Sequence, residues 1–138
     1  MQLAHAYATV GRYNDAADTL LSITGDIVSR RSVEDAARLL RQAPAKVTAP
    51  EALPVLEGGL SFVYAYVGAL NRVFEFAERD FEVNSVPGGV LWHPDYAPLR
   101  KTERFKAFVR KGKLVDYWRE RGWPDLCRPM GADDFVCD

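Results

Sequence analysis

The residues of this chain that could do chemistry are few and widely spaced. His5 and His93 are its two histidines, and neither has a patterned nucleophile or second base beside it in sequence, the minimum for moving a proton to or from a substrate. Off an apolar stripe, His5 suits an exposed or groove-facing position, and His93, just before Pro94 and Asp95, suits a loop cap. Cys127 and Cys137 are the two cysteines, with nine residues between them. A zinc site needs about four converging ligands, usually with cysteines paired close in sequence, and this spacing with one distant histidine falls short. A bond between the two is geometrically conceivable but disfavoured in a reducing compartment, so buried or free thiols are the expectation.

The remaining motifs are also structural. Gly58-Gly59 lacks the Lys-Ser or Lys-Thr ending of a phosphate loop, and Gly88-Gly89 lacks the spacing of a dinucleotide fingerprint. Gly131-Ala132-Asp133-Asp134 has neither the alternating oxygen ligands nor the closing glutamate of a calcium loop. No serine elbow occurs. The expectation is a chain that is not an enzyme, with no catalytic residue, metal or cofactor. Arg100, Lys101, Arg104, Lys106, Arg110, Lys111 and Lys113 are the nearest thing to a partner patch, with Phe105 and Phe108 among them. Glu103 and Asp116 interrupt it and the phenylalanines are better used as core, so a solvated face is the leading reading and an acidic protein partner the next.

The elements that hold these residues are patterned as helices. Leu3, Ala6, Tyr7 and Val10 recur at helical spacing, as do Tyr13, Ala16, Ala17, Leu20 and Leu21 after Gly11-Arg12, which predicts two short helices folded back on each other through these stripes. Ser32 is placed to cap a further helix with Val33, Ala36, Ala37 and Leu40 on its buried face, stopped near Gln42 or Ala43 by Pro44. Leu60, Val63, Tyr64 and Val67 form another stripe, and Gly68 follows Tyr64 as Gly11 follows Tyr7. Leu70, Val73, Phe74 and Ala77 continue it. From Val86 to Pro98 glycine, proline and aromatics rule out a long helix. Thr102 then caps a helix carrying Phe105, Phe108 and Val109, Gly112 ends it, and Leu114 to Trp118 begin another that closes near Gly122 and Pro124.

Leu3, Ala4, Tyr7, Gly11, Tyr13, Ala16 and Leu20 follow a pattern that resembles the tetratricopeptide repeat, and Leu60, Ser61, Tyr64, Gly68, Leu70 and Val73 follow it again. The equivalent positions lie 57 residues apart, longer than the family's period of about 34, so the resemblance requires an irregular repeat between them. The stretch from Leu91-Trp92-His93-Pro94 to Gly122-Trp123-Pro124-Asp125 is similar to segments that follow such repeats in bacterial multidomain proteins, some of which begin with a nucleotide cyclase or a transcriptional regulator. The resemblance implies an all-α fold: antiparallel helix hairpins stacked as a short right-handed superhelix over residues 1–85, with an irregular, aromatic-rich helical tail over 86–138 as a cap on the same core. It also implies a groove lined by the first helix of each hairpin, in which His5, Thr9, Ser61 and Ala65 contact a protein or peptide. Because Met1 falls inside a helix, a C-terminal piece of a longer protein is expected.

Composition bounds the rest. Eighteen basic and nineteen acidic residues, interspersed, give a net charge of -1, which offers no footprint for nucleic acid or an anionic membrane. No apolar run approaches the roughly 20 residues that span a bilayer, and no signal peptide opens the sequence, so a cytoplasmic location is expected. The leading function is a non-catalytic scaffold that binds a peptide or helix. The alternative is a terminal assembly or dimerisation domain of a larger bacterial enzyme or transcriptional regulator.

Overall fold

A computed structural model describes residues 1–84 and 89–138. The chain forms two compact units, Met1–Val73 and Phe74–Asp138. The expected boundary between 85 and 86, together with Val86 and Gly88, lies outside the described residues.

In the first unit, α1 (Gln2–Thr9) and α2 (Tyr13–Leu21) flank Gly11 and pack on each other, and α2 packs in turn on α3 (Arg30–Gln42). Alanines make this close approach possible. Ala4 and Ala8 of α1 and Ala16 and Ala17 of α2 are buried, as are Ala36 and Ala37 of α3, with Leu20, Val33, Leu39 and Leu40 filling the space around them. The cap of α3 is Ser29 rather than Ser32: the Ser29 hydroxyl accepts from the Ser32 amide, and the buried Ser32 hydroxyl accepts from the Glu57 amide. The helix ends at Gln42, ahead of a cis Ala43–Pro44 bond, as the proline predicts.

The stretch after α3 is mostly turns. Two 3-10 segments, Pro50–Ala52 and Gly58–Phe62, precede the single turn of α4 (Val63–Tyr66). Leu60, Val63, Tyr64 and Val67 are buried, in agreement with their spacing. Gly11 and Gly68 adopt φ of +78° and +75°, and in both turns the next amide donates to the tyrosine carbonyl four residues before the glycine, Arg12 to Tyr7 and Ala69 to Tyr64, each at 2.9 Å. A positive φ is where a side chain costs most, so glycine suits both positions.

Helix α5 (Leu70–Asn84) carries the chain into the second unit, where α6 (Ala97–Arg100), α7 (Glu103–Lys111) and α8 (Leu114–Arg121) follow 3-10 segments at Gly89–Trp92 and Pro94–Tyr96. Thr102 caps α7 by accepting from the Phe105 amide, as expected, and Gly122 at φ +112° ends α8. Buried Phe74, Phe105, Phe108, Trp118 and Tyr96 form the core of this unit. Arg100, itself buried, ties that core together by donating to the carbonyls of Leu91, His93 and Asp138. Burial lowers its affinity for the proton and Asp138 partly restores it.

The tetratricopeptide reading and the all-α fold class with a helical tail do not hold. The chain closes in an antiparallel β-hairpin, β1 (Cys127–Met130) and β2 (Asp134–Cys137), with Cys127 opposite Cys137 and the two joined by a disulfide. The cysteines, expected to be buried or free thiols, are buried but bonded to each other. Between the supposed repeats, α3 has no paired helix of its own before the turns at 50–62, and the supposed first helix of the second repeat is a 3-10 segment followed by one turn of α4. Gly58-Gly59 and Pro54 deny that segment the run of helix-forming residues that a full repeat helix needs. Short strands with Pro129 inside and Gly131 at the turn carry no long alternation, so the hairpin is hard to read from periodicity.

Candidate functional site: the exposed face of the first helix

Helix α1 buries its small residues and exposes its large ones. Ala4 and Ala8, four residues apart, face α2 because a helix pair in close contact has room for little more than a methyl group. The stripe expected to be core is therefore turned outward: Leu3 is 58% exposed and Val10 69%, with Ala6 exposed and Tyr7 half-buried between them. Leu3, Ala6 and Tyr7 fall at i, i+3 and i+4 of α1, and Val10, the residue that caps its C-terminal end, continues the apolar line. No residue of α1 is charged. At its C-terminal end the Arg12 guanidinium lies 4.5 Å from the centre of the Tyr7 ring and donates to Asp15 at 2.8 Å. That hydrogen bond, more than the charge attraction, holds the Arg12 proton more tightly than usual.

The four residues expected to contact a partner occupy different settings. His5 stacks on Phe62 with ring centroids 4.5 Å apart, and Thr9 shares a hydrogen bond of 3.1 Å with the Tyr66 hydroxyl while donating to the His5 carbonyl. Tyr66 lies edge-on to both His5 and Phe62 and meets Tyr13 at 5.9 Å. His5 and Thr9 thus share an aromatic cluster with residues 62 and 66. Ser61 is buried and Ala65 is half-buried.

Four residues of the expected basic patch, Arg104, Lys106, Arg110 and Lys111, have acidic partners within the second unit. Arg104 grips Glu78 with two nitrogens at 3.0 and 2.8 Å, Lys106 reaches both oxygens of Asp134 and lies near Glu103, Arg110 also meets Asp134, and Lys111 approaches Glu82. Asp134 is held below its ordinary carboxylate range, first by the Phe135 amide and then by Lys106. A surface so neutralised presents no unbroken positive field. His93 accepts from the Asp95 amide as a cap, with the Asp95 carboxylate 3.3 Å from the same ring nitrogen. Burial, followed by the charge of Asp95, raises the proton affinity of Tyr96.

A surface depression of about 560 Å³ lies between Ile23 and Val33, and its polar side chains are those of Thr24, Asp26, Ser29 and Arg30. Ser29 is already engaged: its amide and hydroxyl both donate to Glu57. No described helix is long and apolar enough to cross a membrane. The sequence reading missed the outward stripe of α1 because it assigned the larger residues to the core. The Ala4 and Ala8 pair, at the same spacing, was the signal for the opposite orientation. No family model, no curated protein and no solved structure matches this chain.

Proposed function

We propose that this chain is a non-catalytic assembly domain that joins two copies of the protein through the outward stripe of α1. The observation that carries the reading is an uncharged helix with exposed Leu3 and Ala6 and half-buried Tyr7 on one side, continued by exposed Val10 at its C-cap. In a two-fold contact each group lies near its own counterpart, so a charged face would set like charges together. Within α1 none are present, the one guanidinium against the stripe, Arg12 over Tyr7, is paired with Asp15, and Ala6 at the centre lets the two helices approach closely. With α1 in antiparallel contact, Leu3 of one copy meets Val10 of the other.

A helix of eight residues is only about 12 Å long, so the contact is small and the dimer weak, with a dissociation constant on the order of 10 to 100 μM. Light scattering behind size exclusion, on the full chain across a concentration series, tests the proposal. The dimer should become a monomer in Leu3→Glu/Val10→Glu, while Ile27→Glu, exposed on another loop, leaves it intact. A wild-type monomer up to about 1 mM, or a dimer unmoved by the α1 substitutions, would overturn it. A disulfide fits an oxidising setting better than the reducing cytoplasm expected from sequence, and we place the bonded form there.

A further inference from the structure

A pair of side chains in the second unit has a spacing that hydrogen bonding does not explain. His93 and Asp95 flank Pro94, where His93 caps the 3-10 segment Pro94–Tyr96. The Asp95 amide donates to the imidazole Nδ1 at 3.3 Å, so this nitrogen presents a lone pair and not a proton. An oxygen of the Asp95 carboxylate, also rich in lone pairs, lies 3.3 Å from the same nitrogen. Two such atoms repel unless a positive charge sits between them. A shared proton draws a nitrogen and a carboxylate oxygen to about 2.7 to 2.9 Å, closer than they are here. Two donors each about 2.0 to 2.1 Å from a tetrahedral ion lie about 3.3 to 3.4 Å apart, which fits.

The backbone of the pair is held in place by its neighbours. Buried Arg100 donates to the His93 and Leu91 carbonyls, each at 2.9 Å, and the ring of Pro94 fixes its own φ. The His93 and Asp95 side chains are 37% and 17% exposed, so an ion can reach them from solvent. An imidazole beside a single carboxylate suits zinc, whereas magnesium and calcium take shells of oxygen. We propose that His93 and Asp95 bind a zinc ion, with Nδ1 and a carboxylate oxygen as protein ligands and water completing the tetrahedron. This is independent of the stripe on α1. The amide bond to Nδ1 is long and weak, and the ion takes its place through a small turn of the ring. With two protein ligands in place of the four of a closed structural centre, the zinc is exchangeable, with a dissociation constant on the order of 10 to 100 μM. A proton competes with the ion for Nδ1, so acid weakens binding. The two cysteines, bonded to each other, take no part.

Zinc chloride titrated into the full, disulfide-bonded chain and followed by amide and imidazole NMR tests this directly. Resonances of 93–96 and of the His93 ring should move, saturate below about 1 mM zinc and return when EDTA is added. His93→Asn keeps a side chain that can cap, and Asp95→Asn keeps the size of the carboxylate. Each should weaken zinc binding at least about tenfold, while tryptophan emission and circular dichroism match the parent. Magnesium at the same concentration should leave the resonances where they are. Resonances of 93–96 that stay unmoved up to about 1 mM zinc, zinc binding undiminished in both variants, or an equal response to magnesium would each overturn the proposal.

Discussion

Tyr64→Phe removes one oxygen atom and should cost the first unit about 2 kcal/mol. The Tyr64 hydroxyl, on a ring 2% exposed, donates to the Pro54 carbonyl at 2.7 Å and accepts from the Leu56 amide at 2.8 Å. It fastens the irregular stretch between α3 and α4, which has no helix ladder of its own at these positions. Without it, two backbone groups lose their partner. The Pro54 carbonyl is half-buried and regains water in part, whereas Leu56 is buried and its amide does not. An unsatisfied buried group costs about 1 to 3 kcal/mol, so the amide dominates and the sum is about 2. The phenylalanine ring keeps the apolar packing, which separates this loss from a cavity effect.

Urea unfolding followed by far-ultraviolet circular dichroism should show a midpoint lower by about 1 M with an unchanged slope. All three tryptophans, Trp92, Trp118 and Trp123, lie in the second unit, so their fluorescence follows that unit separately. Exchange at the Leu56 amide should rise with the loss of stability. A change below about 0.5 kcal/mol, with Leu56 protected as in the parent, would refute the reasoning and give the hydroxyl no more weight than a surface contact.

Phe135→Ala should destabilise the second unit by about 3 to 5 kcal/mol, because a fully buried ring against Trp118 and Trp123 leaves a cavity; chemical denaturation read by tryptophan emission measures it. Glu57 is held below its ordinary value of 4.5, first by the Ser29 amide and then by the Ser29 hydroxyl. A depressed carboxylate contributes stability that is present above its unfolded value and is lost as pH falls through its folded one. Unfolding midpoints of the first unit should therefore fall as pH drops below 4.5, and Glu57→Gln should flatten that dependence. An identical acid profile in the variant would remove Glu57 as its source.

Local structure was legible where one signal acted alone. Thr102 and Gly112 bound α7, Pro44 stops α3, and the matched Tyr7–Gly11 and Tyr64–Gly68 spacings become turns with the same φ and the same hydrogen bond. Each depends on one residue's backbone preference, which a sequence displays directly. Packing was less legible, because α1 has two possible faces and hydrophobicity selects the larger one, while close contact with α2 selects Ala4 and Ala8. Matching a few positions to a repeat also said nothing about the residues between them, where Pro54, Gly58 and Gly59 prevent a full-length helix. The hairpin was missed although Cys127 and Cys137 stand symmetrically about the turn at 131–133, a relation that becomes plain only once the strands are paired.

The outward face of α1 is what would join two copies, and the molar mass of the full chain in solution tests it directly. Light scattering at rising concentration should show a monomer giving way to a dimer, with Leu3→Glu/Val10→Glu folded but monomeric throughout. A wild-type chain that stays monomeric to about 1 mM would contradict the central claim.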